Sequence, residues 1–153
     1  MPMIDVYAPA GAFEDKHELA RRLAAAVMAV EEVPDIAMFR QNTAAFIHEL
    51  PADAISNVDG GSDYVRVQVL TNAGALDRNK QIAMVASLTE LIAGAPGKPP
   101  ALERIWVVLT EAPDGGWGLW GHAQTNAELV AAVRRQMAQA LQTSAAAKEA
   151  TSE

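Results

Sequence analysis

Several residue types that carry common protein chemistry are scarce in this chain of 153 residues. It has no cysteine, which excludes disulfides, a thiol nucleophile and thiolate metal sites, and which fits a reducing cytoplasm. Its 12 lysines and arginines face 19 acidic residues, for a formal charge of −7. Because nucleic-acid affinity depends on cationic side chains at phosphates, we expect no nucleic-acid partner.

Long hydrophobic runs are also missing. No apolar stretch approaches the length needed to cross a membrane, and charged residues from Asp5 to Lys16 interrupt any signal-like N-terminal segment. The sequence therefore predicts a cytoplasmic protein with no membrane partner.

Apolar spacing in the first part of the chain predicts a strand, a helix and a second strand. The first strand-like run starts at Pro2 and ends at Tyr7. A helix is predicted over residues 15–30, because Asp15 followed by Glu18 has the pattern of an N-terminal capping box. Residues 44–50 have an extended pattern that ends at Pro51.

The second part of the chain repeats this order. Residues 64–70 alternate in polarity, so Val65, Val67 and Val69 share one face of a strand. Asp77 is the predicted cap of a second helix that ends near Gly94, and residues 105–110 form a further strand.

The two parts are offset by 62 positions, as Asp15 and Asp77 illustrate (77 − 15). We predict an α+β fold, a two-layer α/β sandwich in which tandem β-α-β repeats form a four-stranded mixed sheet with two helices on one face. The expected domain is 1–141, with pseudo-repeats at 2–59 and 63–121, a C-terminal helix at 126–141 and a flexible tail at 142–153.

The other face of such a sheet has no helix to cover it. The last strand is apolar at five consecutive positions from Ile105 to Leu109, which is typical of a strand buried on both faces. Homo-oligomerisation through the sheets is therefore expected.

Pro2 directly follows the start methionine. Inside a chain a proline nitrogen is a tertiary amide, but at a free N-terminus it is a secondary amine. An apolar pocket disfavours the charged form of an amine and lowers its pKa, which suits a general base at neutral pH. Removal of Met1 is required for this chemistry.

For the other candidate side chains, the sequence is consistent with either a functional or a purely structural role. His48 shares a strand face with Ala44 and Phe46, and either orients a substrate or forms a structural hydrogen bond. Arg40 precedes the second strand and either binds substrate at a subunit junction or lies in solvent. No pair of histidines has metal-ligand spacing, so we expect neither a metal nor a cofactor.

The two β-α-β halves and the proline next to the start methionine resemble the tautomerase superfamily, in particular fused relatives of 4-oxalocrotonate tautomerase and macrophage migration inhibitory factor. In the second half, the strand at 105–111 and the glycine-aromatic segment at 115–121 are similar to the family's final strand and hairpin. The resemblance covers about residues 2–121 and implies a homotrimer.

The resemblance also implies site residues. Pro2 matches the family's general base or acid, and in the family it meets residues of a neighbouring subunit. Trp117 falls at the position of a pocket aromatic, and Trp106 at the position of an arginine or tyrosine; both are equally consistent with a core or an interface. The carboxylate-binding arginine corresponds to Ala12, and its second-half equivalent falls near 72–75, so the usual arginine clamp is missing.

The expected function is cofactor-independent keto-enol tautomerisation of a small 2-keto or enol acid by Pro2. The substrate oxygen would be polarised by Trp106, Asn72, Arg40 or His48. Two alternatives remain open. One is a hydratase or decarboxylase in which cationic Pro2 acts as an acid, and the other is a non-catalytic binding protein on the same fold.

Overall fold

The computed structural model describes residues 1–150, and their side chains through Lys148. The elements in chain order are β1 (Met3–Pro9), α1 (Lys16–Glu31), α2 (Ala37–Gln41), β2 (Ala44–Leu50), β3 (Val65–Asn72), α3 (Arg78–Ala93), β4 (Ile105–Ala112), β5 (Trp117–Leu119), β6 (His122–Gln124) and α4 (Asn126–Ala150).

The main sheet has the order β2-β1-β3-β4. Within each half the two strands are parallel, and the central strands β1 and β3 are antiparallel, with Val6 opposite Val67. The α+β prediction of a four-stranded mixed sheet is thereby confirmed. The core lies between one sheet face and the two helices α1 and α3, and includes the fully buried Val65, Val67 and Val69.

The two halves begin and end their helices at equivalent positions. Helix α1 spans residues 16–31 and α3 spans 78–93, an offset of 62 at both ends (78 − 16 and 93 − 31). Both predicted caps are confirmed, because the Asp15 carboxylate accepts from the Glu18 backbone N–H and Asp77 accepts from that of Lys80.

The opposite face of the sheet carries rows of side chains that cross all four strands. One row is His48, Tyr7, Arg66 and Trp106, and the next is Phe46, Asp5, Gln68 and Val108. Phe46, Trp106 and Val108 are about half exposed in the single chain. We call this surface the open sheet face.

The C-terminal helix differs from the prediction at its end. It begins with a capping box, since Thr125 and Glu128 exchange hydrogen bonds, but α4 continues to Ala150 instead of ending at residue 141. The backbone of residues 142–150 is helical where a flexible tail was expected, because alanine favours a helix even without an apolar stripe. Residues 151–153 lie outside the described residues. No helix within residues 1–150 has the length and apolarity to cross a membrane.

Candidate active site

Strand pairing buries the N-terminus at one end of the sheet. Met3 pairs with Ala44 at the start of β2 and with Leu70 near the end of β3. The carbonyl of Pro2 accepts a hydrogen bond from the Ala44 backbone N–H at 3.4 Å, and the Met1 amine donates to Asn72 Oδ1 at 3.3 Å. Both Met1 and Pro2 are buried.

Apolar side chains from four other elements surround this end of β1. The cluster that contains Met1 also includes residues of α2, β4, β5 and α4, namely Met38, Phe39, Ala112, Trp117, Leu129 and Ala132. Met1 itself is only 3% exposed. The first residue of the chain therefore occupies a dry environment that depends on the small hairpin and on α4.

A cavity of about 490 Å³ opens beside the N-terminal residue. Its walls are mostly apolar, with four polar or charged side chains: Glu31, Asn72, Asn126 and Arg134. Burial lowers the pKa of the Met1 α-amino group, and the charge of Glu31 acts in the opposite direction. An amine at this position is a stronger candidate base at neutral pH than an exposed amine.

Sequence reasoning missed two of these charged residues. Glu31 is the last residue of α1 and is 7% exposed. The four-residue spacing from Leu19 through Leu23 and Val27 continues to position 31, so a charge on that apolar stripe was a signal available in the sequence.

Arg134 lies on α4, one helical turn after Val130, and both residues line the cavity. No ion pair involves Arg134 in residues 1–148. A cation without a carboxylate partner at the rim of an apolar cavity can hold the carboxylate of a small acid.

Two of the predicted substrate-binding residues lie near Pro2. Asn72 accepts from the N-terminal amine, which leaves its amide NH2 group as a hydrogen-bond donor toward the cavity. Trp117 is 7% exposed and belongs to the same apolar cluster as Met1.

The other three lie elsewhere in the single chain. Arg40 is exposed and pairs with Asp35 at 2.8 Å, while its neighbour Phe39 turns into the Met1 cluster. His48 lies on the open sheet face, where its Nε2 is 2.7 Å from Asp5 and its ring stacks on Tyr7 at 4.5 Å. Neither side chain lines the cavity beside Met1.

Trp106 lies on the open sheet face at the opposite end of the sheet from Met1. It is 54% exposed and its ring is 4.9 Å from that of Tyr64. Together with Tyr7 and Arg66 it lines a second cavity of about 430 Å³. Within one chain, then, Trp106 and Pro2 belong to different surfaces.

Solved structures with the same architecture were found by structural comparison, whereas no family model and no curated protein sequence matches. A fused 4-OT solved as an asymmetric trimer is 21% identical, covers 83% of this chain and 98% of its own, and has a TM-score of 0.64. A native fused 4-OT is 24% identical over 80% of this chain and 94% of its own, with a TM-score of 0.61.

A macrophage migration inhibitory factor-like protein from Entamoeba histolytica is 14% identical over 77% of this chain and 94% of its own, with a TM-score of 0.61. A malonate semialdehyde decarboxylase and a member of the cis-3-chloroacrylic acid dehalogenase family also match in structure. These proteins span several reactions, and identities of this size establish the architecture. The chain has the fold of these fused 4-OT and macrophage migration inhibitory factor-like structures.

Proposed function

We propose that the protein is a cofactor-independent keto-enol tautomerase of a small 2-keto or enol acid, with the amine of Pro2 as general base and acid. The observation that supports this most directly is the burial of the chain's first residue in an apolar cluster beside a cavity of about 490 Å³. Once Met1 is removed, the Pro2 nitrogen becomes the amine at this place.

Loss of Met1 also removes a buried side chain from the cluster. The space it leaves belongs to the cluster that contains Phe39, Trp117 and Leu129, and Pro2 is the next residue of the chain. In this space the Pro2 nitrogen takes a proton from the carbon next to the substrate carbonyl, the C–H electrons form a C=C bond, and charge moves to the oxygen. The Asn72 amide donates to that oxygen, and the Pro2 ammonium returns the proton to the oxygen as the enol O–H, or to the far carbon where the substrate has a conjugated C=C bond; ketonisation of an enol acid runs these steps in reverse.

Arg134 provides the cation that an acid substrate requires. It lies at the rim of the same cavity, so a carboxylate bound there leaves the reacting end of a small acid near the N-terminus. This replaces the arginine clamp whose positions are Ala12 and the segment at 72–75.

The proposal includes a homotrimer formed through the open sheet face. Half-exposed Phe46, Trp106 and Val108 form an apolar surface that subunit contact would cover, and the fused 4-OT structures with this fold include trimers. In such an assembly Trp106 and His48 belong to subunit junctions, where they would approach the Pro2 site of a neighbour.

A hydratase is the second candidate, favoured by one observation. Its mechanism needs cationic Pro2 as an acid and a second group as a base, and the buried Glu31 carboxylate lines the same cavity. The two candidates differ in the charge of Pro2 at neutral pH, which direct titration of the amine measures.

Two measurements test the leading proposal. Intact mass spectrometry of natively expressed protein should show a chain lighter by one methionine residue. Ketonisation of an enol-pyruvate should then be at least about 100-fold slower in Pro2→Ala, because general acid-base catalysis contributes a factor of this size. Pro9→Ala, at the other end of β1, serves as the matched control and should retain activity. An unchanged rate in Pro2→Ala would refute catalysis by Pro2.

A further inference from the structure

Glu31 occupies a position where a carboxylate is costly. Its side chain is buried at 7% exposure, and an ionised group is expensive to bury without an ionic partner. It is also the last residue of α1, where the helix dipole disfavours negative charge and where the last turn has no basic residue. Stability alone does not account for a glutamate here.

The contacts of Glu31 hold the carboxylate without neutralising it. The Thr71 hydroxyl donates to its Oε1, and Thr71 is fully buried at the end of β3. The ammonium of Lys80 donates to the main-chain carbonyl of Glu31 at 3.0 Å and lies 3.6 Å from the neighbouring Glu32 carboxylate. No ion pair involves the Glu31 side chain within residues 1–148.

The second half of the chain provides an internal comparison. At the offset of 62, the positions of Glu31 and Thr71 correspond to Ala93 and Pro9 (93 − 31 and 71 − 9). The second half therefore packs the same helix end against the sheet without a carboxylate or a hydroxyl. The polar pair is present only at the end of the sheet that holds the N-terminus.

We infer that Glu31, held by Thr71, is a positioning residue that sets the proton affinity of the N-terminal amine in the cavity beside β1. The inference rests on the proposed function. A desolvated amine without a counter-charge is unprotonated at neutral pH and so free to accept a proton, but its affinity for that proton is low. Tautomerisation requires both steps, and a buried carboxylate on the same cavity wall restores part of the amine's affinity for the proton.

Other charged groups lie near this cavity, on several different elements. They are Arg134 of α4, Lys80 of α3, Glu32 after α1, Glu111 of β4, which accepts from the Gly74 backbone, and Asp114, which accepts from the Asn126 backbone. Of these and Glu31, it is Glu31 whose charge raises the pKa of the N-terminal amine. A neutral side chain at position 31 should therefore lower that pKa.

The experiment titrates the amine directly. Protein labelled with [15N]proline and shown by mass to begin at Pro2 is followed by NMR, since the terminal amine nitrogen resonates apart from the amide nitrogens of internal prolines. Glu31→Gln keeps an oxygen acceptor for Thr71 and should lower the pKa of the amine, because the opposite charge that favours its protonated form is gone. The rising limb of the pH-rate profile should move to lower pH by the same amount.

Glu32→Gln is the matched control. Glu32 is the next residue and its side chain is exposed, so removal of the same charge there should leave the titration of the amine unchanged. If Glu31→Gln does not fold, Glu31→Ala, which copies the second half, takes its place. The wild type offers a further check, since the Glu31 carboxyl carbon should show an inflection at the pH where the amine titrates.

The inference is overturned if the N-terminal amine has the same pKa in the Glu31 variants as in the wild type. It is also overturned if the Glu31 carboxyl carbon of the wild type shows no inflection where the amine titrates. Failure of the proposed function has a different signature. If no enol acid reacts, titration of the Pro2 amine still reports whether Glu31 controls its proton affinity. If Met1 is retained, [15N]methionine labelling allows the same titration of the Met1 amine.

Discussion

Arg134 gives the most direct test of how the proposed site recognises its substrate. Helix α4 presents Val130 and Arg134 on one stripe, so the guanidinium lies at the rim of a cavity whose inner wall is apolar. Replacing it in Arg134→Gln removes the charge and retains a shorter polar side chain. Affinity for a carboxylate substrate should fall, while the chemistry at Pro2 continues.

The size of the effect follows from the exposure of this arginine. Arg134 is exposed and solvent screens its ion pairs, so a carboxylate bound there gains at most about 1 kcal/mol. About 1.4 kcal/mol corresponds to a factor of ten. We therefore expect a rise in KM of up to about fivefold for a small 2-keto acid, with kcat nearly unchanged.

The assay compares the acid with its methyl ester. Arg134→Gln should discriminate less between the two substrates than the wild type does, because only the acid has a charge for the guanidinium to bind. Arg135→Gln is the matched control, since Arg135 is the adjacent exposed arginine and does not line the cavity. If both variants lose affinity equally, or if neither does, Arg134 does not bind the carboxylate.

Two further predictions concern the assembly and the position of α4. Val108→Lys places a charge on the open sheet face, at the centre of its edge strand β4, and should dissociate the proposed trimer in sedimentation velocity. Val58→Lys, in a fully exposed loop, should leave the trimer intact. A Val108→Lys protein that still sediments as the wild type would contradict assembly through that face. Thr125→Ala removes the cap hydroxyl that accepts from the Glu128 backbone and should lower the free energy of unfolding by about 1 kcal/mol in urea, and an unchanged midpoint would show that the cap contributes nothing measurable.

Much of the fold was readable because its signals are local. Alternation in β3 and the caps at Asp15 and Asp77 depend on side chains within a few positions of one another, and the structure confirms them. The end of α4 was not readable from its apolar pattern. Residues 142–148 are exposed and have no stripe to bury, so helix propensity rather than packing accounts for the extra turns.

The candidate site was less accessible to sequence reasoning, because tertiary packing brings its parts together. Asn72 is 70 residues from Pro2 (72 − 2), yet antiparallel pairing of β1 with β3 places it at the N-terminal amine. Arg134 reaches the same cavity on a helix that follows both repeats. No spacing pattern in the sequence indicates that α4 packs at this end of the sheet. From the sequence alone, Arg40 and not Arg134 was therefore the candidate for the cation that binds substrate.

The duplicated architecture separates residues that serve folding from residues that differ for another reason. Asp15 and Asp77 cap equivalent helices and are identical, as expected where both halves meet the same physical requirement. Pro2 corresponds to Tyr64 at the same offset, and Tyr64 leads into β3 as Pro2 leads into β1. In the proposed mechanism the first half supplies the amine, and the buried Glu31 carboxylate is also confined to that half, since Ala93 stands at the equivalent position. Because packing requires neither feature, their meeting at one cavity favours chemistry at the N-terminus over a purely structural role.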